Sequence, residues 1–433
     1  MTVVPTTAPP AQPEGVIFGP LELLNGYAPV FLTAFVVTLL ATPIVRKVAV
    51  NAGIIDMPDR QRKLHAYPVA YLGGLAVFFG VVASLIAAAF LTRGEAGLLR
   101  VVPFSVVIGM VAIVFTGLAD DIWKWDPRLK VAGQLVAAAA LAIEDVGPKL
   151  AEGVLNPMFG PPDLSLLSVG SLVIRNSELF YWVGTALVAL FVVGGCNAAN
   201  LIDGLDGLLS GTTAIMAIGL LGISLIMAMT DPVTDPEKSL VGMRVMLSLA
   251  LLGATLGFLP FNFNPAIIFL GDCGSLLLGY LCVVIIMSFG EHGQTELVVA
   301  GLVVFSLPIL DTVLAIIRRK MAGMPFHSAD SNHIHHLLKR SLGTVKRAVF
   351  ALYAITVCFA ILGVAMAATR QLTGTRVLAV MSLAFAFFAF ISAMAIKAAR
   401  QASWQIQMKT AERAADAAPI APTAEPAPAR DLH

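Results

Sequence analysis

The sequence predicts an all-α, polytopic integral membrane protein with about eleven transmembrane helices, and two observations carry that prediction. Of its 433 residues, 58% are hydrophobic and only 13% are charged, whereas an ordinary soluble domain is about 25% charged. The apolar residues also fall in long blocks, and a helix needs about 20 mostly apolar residues to cross a bilayer. Because backbone polar groups in lipid must bond within their own segment, helices are expected throughout. The candidate spans are 28–48, 71–92, 101–119, 129–145, 179–197, 208–229, 241–259, 267–289, 296–318, 346–367 and 376–397.

The two ends of the chain differ in composition from its middle. Residues 1–20 are rich in Pro and Ala and lack the basic start of a cleavable signal peptide, and residues 405–433 are rich in Ala, Pro and Glu. We therefore expect a flexible segment over 1–27, a transmembrane domain over 28–400 and a disordered tail over 401–433. The four cysteines lie in apolar surroundings without paired or metal-type spacing, which predicts small buried side chains.

The basic residues predict the orientation. Eleven spans place the termini on opposite sides, and with the N-terminus outside, 20 of the 28 Lys and Arg residues fall on the inner side. An excess of Lys and Arg marks the cytoplasmic side. The sequence thus predicts a multi-pass protein of the inner (plasma) membrane with its C-terminus in the cytoplasm. The outer loop 146–178 is expected to carry a short strand or hairpin over Leu164–Ile174. The net charge of +1 gives no global field to attract nucleic acid.

Unusual polar residues collect on the predicted inner side, and the first group is Asp120 with Asp121 at the end of the third span. Adjacent carboxylates suit a hard cation or proton abstraction. A solvated helix end is the structural alternative.

The second group follows the fifth span. Helical spacing of three predicts that Asn197, Asn200, Asp203 and Asp206 line one face. Glycines at 204 and 207 allow a ligand or a backbone to approach closely. Two amides and two carboxylates on one stripe favour a functional role.

Three more groups lie on the same side. Asn262 leads to Asp272, a carboxylate just inside an apolar stretch, where charge is costly and is usually paired with a partner or a cation; an interhelical hydrogen bond is the alternative. His333, His335 and His336 favour phosphate contact or acid–base work over a zinc site. Residues 56–74 include Lys63 and other basic side chains that either bind phosphate or only follow the orientation rule. Asp311, in the ninth span after Pro308, either joins this chemistry or fixes helix packing.

These motifs resemble one family, the polyprenyl-phosphate N-acetylhexosamine-1-phosphate transferases. The matching stretches are DDIWKWDPRLK at 120–130, NAANLIDGLDGL at 197–208, NPAIIFLGDCGS at 264–275, HIHH at 333–336 and, more weakly, RKLHAYPVAYLGG at 62–74. The HIHH motif is similar to the branch that transfers GlcNAc-1-phosphate for O-antigen lipopolysaccharide, teichoic acid or arabinogalactan linkers. Two departures are Ser331, where a basic residue is frequent, and Tyr71, where an arginine is frequent.

The resemblance implies roles at the matching positions. Catalytic roles are expected for Asp120, Asp121, Asp203, His333, His335 and His336. Substrate-binding roles are expected for Lys63, Lys130, Asn197, Asp206 and Asn262. Metal ligation, by Mg²⁺ or by Mn²⁺ in its place, is expected for Asp272 and Asn200.

The resemblance also implies the reaction, in which a polyprenyl phosphate (undecaprenyl or decaprenyl) attacks the sugar-side phosphorus of a UDP-sugar and UMP leaves. This exchange is the first membrane step of cell-envelope glycan synthesis; the sequence leaves the oligomeric state open, with a homodimer as one candidate. One alternative is a phospho-N-acetylmuramoyl-pentapeptide transferase. An alternative of another class is a transporter with an ion site built from the inner carboxylates, but transporters bind near the midplane and often show inverted repeats, and no repeat of fixed period is evident.

Overall fold

The computed structural model describes residues 15–57, 68–91, 99, 102–144, 146–169, 172–236, 238–291, 293–321, 333–373, 404 and 408. Its helices are α1 Pro20–Asn51, α2 Gly73–Leu91, α3 Phe104–Trp123, α4 Pro127–Ala142, α5 Val146–Phe159, α6 Asn176–Ile202, α7 Leu208–Thr230, α8 Val241–Asn262, α9 Gly271–Ser288, α10 Thr295–Val304, α11 Ser306–Met321, α12 Ile334–Leu342 and α13 Val345–Thr373. Its strands are β1 Ile55–Asp56, β2 Val69–Ala70, β3 Ser165–Val169 and β4 Leu172–Arg175.

The helical membrane architecture is confirmed, but the count of eleven spans is not. Within the described ranges, eight helices are long and apolar enough to cross a membrane, or nine if α10 and α11 form one bent span. The predicted fourth span is α4, whose 16 residues make it shorter than a typical crossing helix. The predicted eleventh span, 376–397, lies outside the described residues.

The predicted outer loop contains more structure than its sequence indicated. Antiparallel pairing of β3 with β4 confirms the hairpin. The preceding helix α5 was not predicted, because its 14 residues include Pro157 and are too few to register as a span.

The predicted ninth span is broken. The axes of α10 and α11 differ by 78°. Pro308 in the first turn of α11 has no backbone N–H, and its ring is incompatible with a straight helix at the Val304 carbonyl four residues earlier. The helix therefore ends at Val304 and restarts at Ser306, which turns α11 away from the direction of α10.

Helix α9 is the centre of the bundle, since its residues are almost all buried. It packs against α3, α6 and α2. Gly117 makes the contact with α3 close, because a Cβ there would lie 2.5 Å from the Cys273 backbone nitrogen. The C-terminal turn of α3 is thereby brought to the N-terminus of α9.

The segment before α9 is connected to the start of α2 by backbone hydrogen bonds. Phe269 donates to the Ala70 carbonyl at 2.8 Å, and Gly73 and Gly74 donate to Phe269 and Leu270 at 2.9 Å. Because β1 pairs with β2 in the same region, residues 68–74 lie beside the N-terminus of α9. We call this region, where α3 and α6 end and α9 begins, the Asp272 end of the bundle; the opposite end, beyond Ser288, is the Glu291 end.

Candidate active site

Asp272, the second residue of α9, is the centre of the site. Its Oδ1 accepts a hydrogen bond from Asn200 Nδ2 at 2.8 Å, and Asn200 also donates to Ser275 Oγ at 2.8 Å. Its Oδ2 contacts the Lys130 ammonium, which in turn lies 3.6 Å from Asp120 Oδ2. The structure thus brings together residues of α3, α4, α6 and α9. The sequence had predicted that these residues lie on the same side of the membrane.

The two adjacent aspartates of α3 have different surroundings. Asp121 is buried, and its carboxylate accepts hydrogen bonds from the backbone N–H groups of Asp272 at 2.8 Å and Cys273 at 3.1 Å. These are N–H groups of the first turn of α9, which have no partner inside that helix. Asp120 is only partly buried and interacts with the side chains of Lys130 and Asp272. Asp121 therefore caps α9, whereas Asp120 faces the charged groups of the site.

The predicted helical stripe is correct for Asn197 and Asn200 but wrong for Asp203 and Asp206. Helix α6 ends at Ile202, and the two aspartates lie in the turn that leads to α7. Gly207, with a left-handed φ of 76°, is the residue before α7, so the chain turns where a continuous helix was predicted.

Asn197 contacts another helix. It donates to Gln134 Oε1 in α4 and to the Val193 carbonyl in its own helix, both at 2.8 Å. Gln134 is fully buried. This contact joins α4, which carries Lys130, to α6, which carries Asn200.

Asp206 and Asn262 hold the loop between α8 and α9. Asp206 Oδ2 accepts from Asn264 Nδ2 at 2.8 Å and from the Ala266 backbone at 3.1 Å. Asn262 is buried; it donates to the Ile268 carbonyl at 3.0 Å and accepts from Ser210 at 2.7 Å. Since the loop leads directly to Asp272, both residues fix the approach to α9.

Asp203 lies in the field of the other carboxylates. Burial, together with Asp272, Asp121 and Asp206, raises the pKa of Asp203 to about 8. Crowding of negative charge at this end of the bundle favours the binding of a cation or a proton.

The histidine motif reaches the same turn from the other side. His333 is the residue before α12, and its Nδ1 lies 2.8 Å from Asp311 Oδ2 in α11. His335 packs on Gly204, where a Cβ would lie 2.2 Å from the imidazole Nε2. The close approach predicted for Gly204 is therefore made by a histidine side chain. The rings of His335 and His336 are in contact, with centroids 4.3 Å apart.

The three histidines are not equivalent. His335 is 2% exposed, and burial lowers its pKa to about 3 although Asp311 acts in the opposite direction. Burial and the neighbouring His333 also lower the pKa of the half-buried His336. His335 is therefore neutral at physiological pH.

Sequence reasoning missed one aromatic residue of the site. Tyr71 lies under the Lys124 ammonium, 5.6 Å from its ring centroid, and its ring meets Phe269 edge-on at 5.9 Å. Burial and the carboxylates of Asp56, Asp121, Asp272 and Asp203 raise the pKa of Tyr71, so its hydroxyl stays protonated. The sequence did contain a signal for Tyr71, because a tyrosine stands where an arginine is frequent in the family that the sequence resembles. Lys63 lies outside the described residues.

The donor set suits a hard cation that is completed by substrate. Among the described residues, no three His, Cys, Asp or Glu side chains are grouped to hold a metal by themselves. Mg²⁺ in phosphate enzymes is usually bound by one or two carboxylates together with water and substrate phosphate. Asp272, with the Asn200 amide beside its carboxylate, fits that arrangement.

A multi-pass helical bundle with this cluster at one end matches a known class of membrane enzymes. The family model described as glycosyl transferase family 4 matches residues 103–290, which contain all helices from α3 to α9. Together with the relatives described next, this match shows that the chain belongs to glycosyl transferase family 4.

Three curated relatives show the range of similarity. A Bacillus subtilis protein named a probable undecaprenyl-phosphate N-acetylglucosaminyl 1-phosphate transferase is 34% identical over 336 residues, covering 76% of this chain and 82% of the relative. A Mycobacterium tuberculosis decaprenyl-phosphate N-acetylglucosaminephosphotransferase is 34% identical over 351 residues, covering 76% and 80%. An Escherichia coli (strain K12) undecaprenyl-phosphate alpha-N-acetylglucosaminyl 1-phosphate transferase is 27% identical over 381 residues, covering 85% and 92%.

Proposed function

We propose that this chain transfers N-acetylglucosamine 1-phosphate from a UDP-linked donor to a polyprenyl phosphate in the membrane and releases UMP. The observation that carries the proposal is the cluster of Asp120, Lys130, Asn200 and Asp272 at one end of a membrane bundle. The names of the relatives give the acceptor class and the sugar, and the HIHH motif supports the same branch.

The distribution of charge suggests how the two substrates would meet. Lys130 lies within the carboxylate cluster, and Lys124 lies over Tyr71 beside it. These ammonium groups are suited to bind the donor pyrophosphate. The exposed apolar faces of the surrounding helices are suited to contact the polyprenyl tail.

We propose Mg²⁺ as the cofactor, with Asp272 and Asn200 as the residues that would hold it. When bound, the ion would neutralise pyrophosphate charge and orient the phosphates. The oxygen ligands of Asp272 and Asn200 support Mg²⁺ over zinc, because carboxylate and carbonyl oxygens suit hard cations.

The surroundings of the two aspartates support different roles. Asp120 faces the other charged side chains, so we assign to it the removal of the proton from the acceptor phosphate. Asp121 is engaged by two backbone N–H groups of α9 and acts as a positioning residue for Asp272. The acceptor phosphate oxygen then forms a bond to the sugar-side phosphorus, the bond from that phosphorus to the oxygen bridging to UMP breaks, and the anomeric C–O bond stays intact. Alignment of the two substrates in line lowers the entropic part of the barrier.

We also propose that the Asp272 end faces the cytoplasm of the inner (plasma) membrane, because the Lys and Arg residues of the loops accumulate on that side. A single accessible cysteine introduced at residue 410 should react with an impermeant reagent only from the cytoplasmic side. Labelling from the opposite side would overturn this orientation.

The function is tested with the purified full chain, undecaprenyl phosphate, Mg²⁺ and a panel of UDP-sugars labelled in the sugar. We expect label to enter the lipid fraction from UDP-GlcNAc with equimolar release of UMP. Transfer only from UDP-N-acetylmuramoyl-pentapeptide would assign the chain to the alternative branch. Uptake of an ion into proteoliposomes without any transfer would favour the transporter.

A further inference from the structure

Asp311 is a fully buried carboxylate in α11, on the membrane segment that restarts after the bend. Both of its oxygens contact the residues that begin the histidine motif. Oδ1 accepts from the Ile334 backbone N–H at 2.7 Å, and Oδ2 lies 2.8 Å from His333 Nδ1. Asp311 therefore holds the start of the motif from the preceding helix, 22 residues earlier in the chain.

The first contact is a helix cap made by another helix. The side chain of His333, the residue before α12, does not cap α12 itself. Since the first N–H groups of a helix lack partners inside it, the Asp311 carboxylate supplies the acceptor that a local Ser or Asp usually provides. Because this bond uses Oδ1, the Oδ2 atom of Asp311 is the one that contacts His333.

The second contact determines a proton position. An ionised carboxylate only accepts hydrogen bonds, and a neutral imidazole carries its proton on one of its two nitrogens. Contact with Asp311 requires that the proton be on Nδ1. Nε2 is then the nitrogen that remains able to accept a proton or a hydrogen bond.

We propose that Asp311 is a positioning residue that fixes the ring of His333 and its Nδ1–H tautomer, so that Nε2 is presented as an acceptor to the substrates. The inference rests on the proposed function, because the substrates are those of the transferase reaction. The partner of Nε2 is a group that carries a proton, either a hydroxyl or amide of the donor sugar or the protonated phosphate of the acceptor. A second nitrogen of the motif, His335 Nδ1, is 3.9 Å from the same carboxylate.

The substitution Asp311→Asn tests the tautomer of His333, because it changes the hydrogen-bonding groups at position 311 and leaves the shape of that side chain almost unchanged. The Ile334 N–H requires an acceptor, so the new amide oxygen should take that bond and the amide NH₂ should face His333. Nδ1 must then accept, and the proton moves to Nε2. We expect kcat to fall about 10- to 100-fold. A rise in the donor KM would place the Nε2 partner on the sugar, and a rise in the acceptor KM would place it on the lipid phosphate.

Glu296→Gln is the matched control. Glu296 is also buried and lies in α10 of the same bent segment, but it binds Arg370 at the Glu291 end. The same chemical change there should leave kcat per folded molecule within about twofold. A loss as large as that of Asp311→Asn would show that neutralising any carboxylate of this segment is sufficient, and would overturn the proposal.

Two readouts separate positioning from a structural role. In a double-mutant cycle, Asp311→Asn should cost little further activity in a His333→Asn background, because its effect acts through that ring. Full additivity of the two substitutions would overturn the inference.

The second readout is the ¹⁵N spectrum of histidine-labelled wild-type protein. The His333 signal, assigned by difference from His333→Asn, should show Nδ1 protonated. A wild-type signal with the proton on Nε2 alone would overturn it, even if the variants did not fold. The spectrum requires no activity, so a failure of the proposed transferase reaction remains distinguishable.

Discussion

The two ends of the bundle hold their carboxylates in different ways. At the Glu291 end, each of two buried glutamates has a guanidinium partner: Arg244 contacts Glu291 at 3.1 Å, and Arg370 contacts Glu296 at 2.5 Å. At the Asp272 end, one ammonium of Lys130 contacts both Asp272 and Asp120. Asp121, Asp206 and Asp311 instead contact backbone N–H groups, the Asn264 amide and the His333 imidazole.

This difference separates structural ion pairs from a binding site. Opposite charges in contact cancel, and removing one partner of such a buried pair costs stability. Carboxylates held by neutral dipoles are stabilised but keep their negative charge. Helix α9 connects the two ends and is about 27 Å long, as calculated from its 18 residues. The glutamate charges at the Glu291 end are neutralised by arginines, whereas the Asp272 end attracts cations.

Substitution of one central carboxylate at each end should give the largest contrast. We expect Asp272→Asn to lower kcat by on the order of 1,000-fold, because the metal-binding charge is lost. We expect Glu291→Gln to lower the free energy of unfolding by about 3–5 kcal/mol, since Arg244 would remain buried and charged, with near wild-type kcat in the folded fraction. Label transfer and thermal unfolding in detergent measure the two effects. Wild-type turnover by Asp272→Asn would remove the distinction between the ends.

The adjacent aspartates of α3 should give the next contrast, within the Asp272 end itself. Asp120→Asn should lower kcat about 100-fold or more and leave the unfolding temperature unchanged, because it removes a proton acceptor. Asp121→Asn should lower the free energy of unfolding by about 1 kcal/mol, as expected for the loss of a helix cap. Equal effects of the two substitutions on both quantities would contradict the assignment of separate roles.

Hydropathy predicted most of the fold because lipid requires long apolar helices. It predicted the single segment 296–318, where the chain bends by 78°. Pro308 was visible in the sequence, yet proline in a membrane helix gives no fixed angle, because neighbouring helices decide how the freed carbonyl is satisfied. Helix α5 was missed because hydropathy detects spans and not short helices.

The site could be predicted only in part, since motif residues reveal chemistry more readily than contacts. Spacing placed Asn197 and Asn200 correctly on α6, but the turn at Gly207 moved Asp203 and Asp206 off that helix. The division of roles between Asp120 and Asp121 depends on where α9 begins relative to α3. That relation arises from helix packing at Gly117 and is not encoded in either motif alone.

Two glycines of the α6 region test how closely the histidine motif must approach the Asp203 turn. Gly204→Ala should lower kcat/KM by about 10- to 100-fold, because the new methyl group would displace His335 and a shift of about 1 Å has an effect of that size. Gly194→Ala, in α6 with open space around the added carbon, should instead stabilise the protein by about 0.5–1 kcal/mol. Steady-state kinetics and thermal unfolding measure both. An unchanged kcat/KM in Gly204→Ala would show that the contact is not required for turnover.

The last contrast is a pH dependence at the Asp272 end, where the buried His335 packs on Gly204. The folded state holds the pKa of His335 at about 3, below its value of about 6.5 in an unfolded chain. A depressed folded pKa stabilises the protein above pH 6.5, and this contribution is lost progressively as the pH falls toward 3. The unfolding temperature of the wild type should therefore fall more steeply between pH 7 and pH 5 than that of His335→Asn. Parallel curves for the two proteins would mean that His335 is not buried in its neutral form against Gly204.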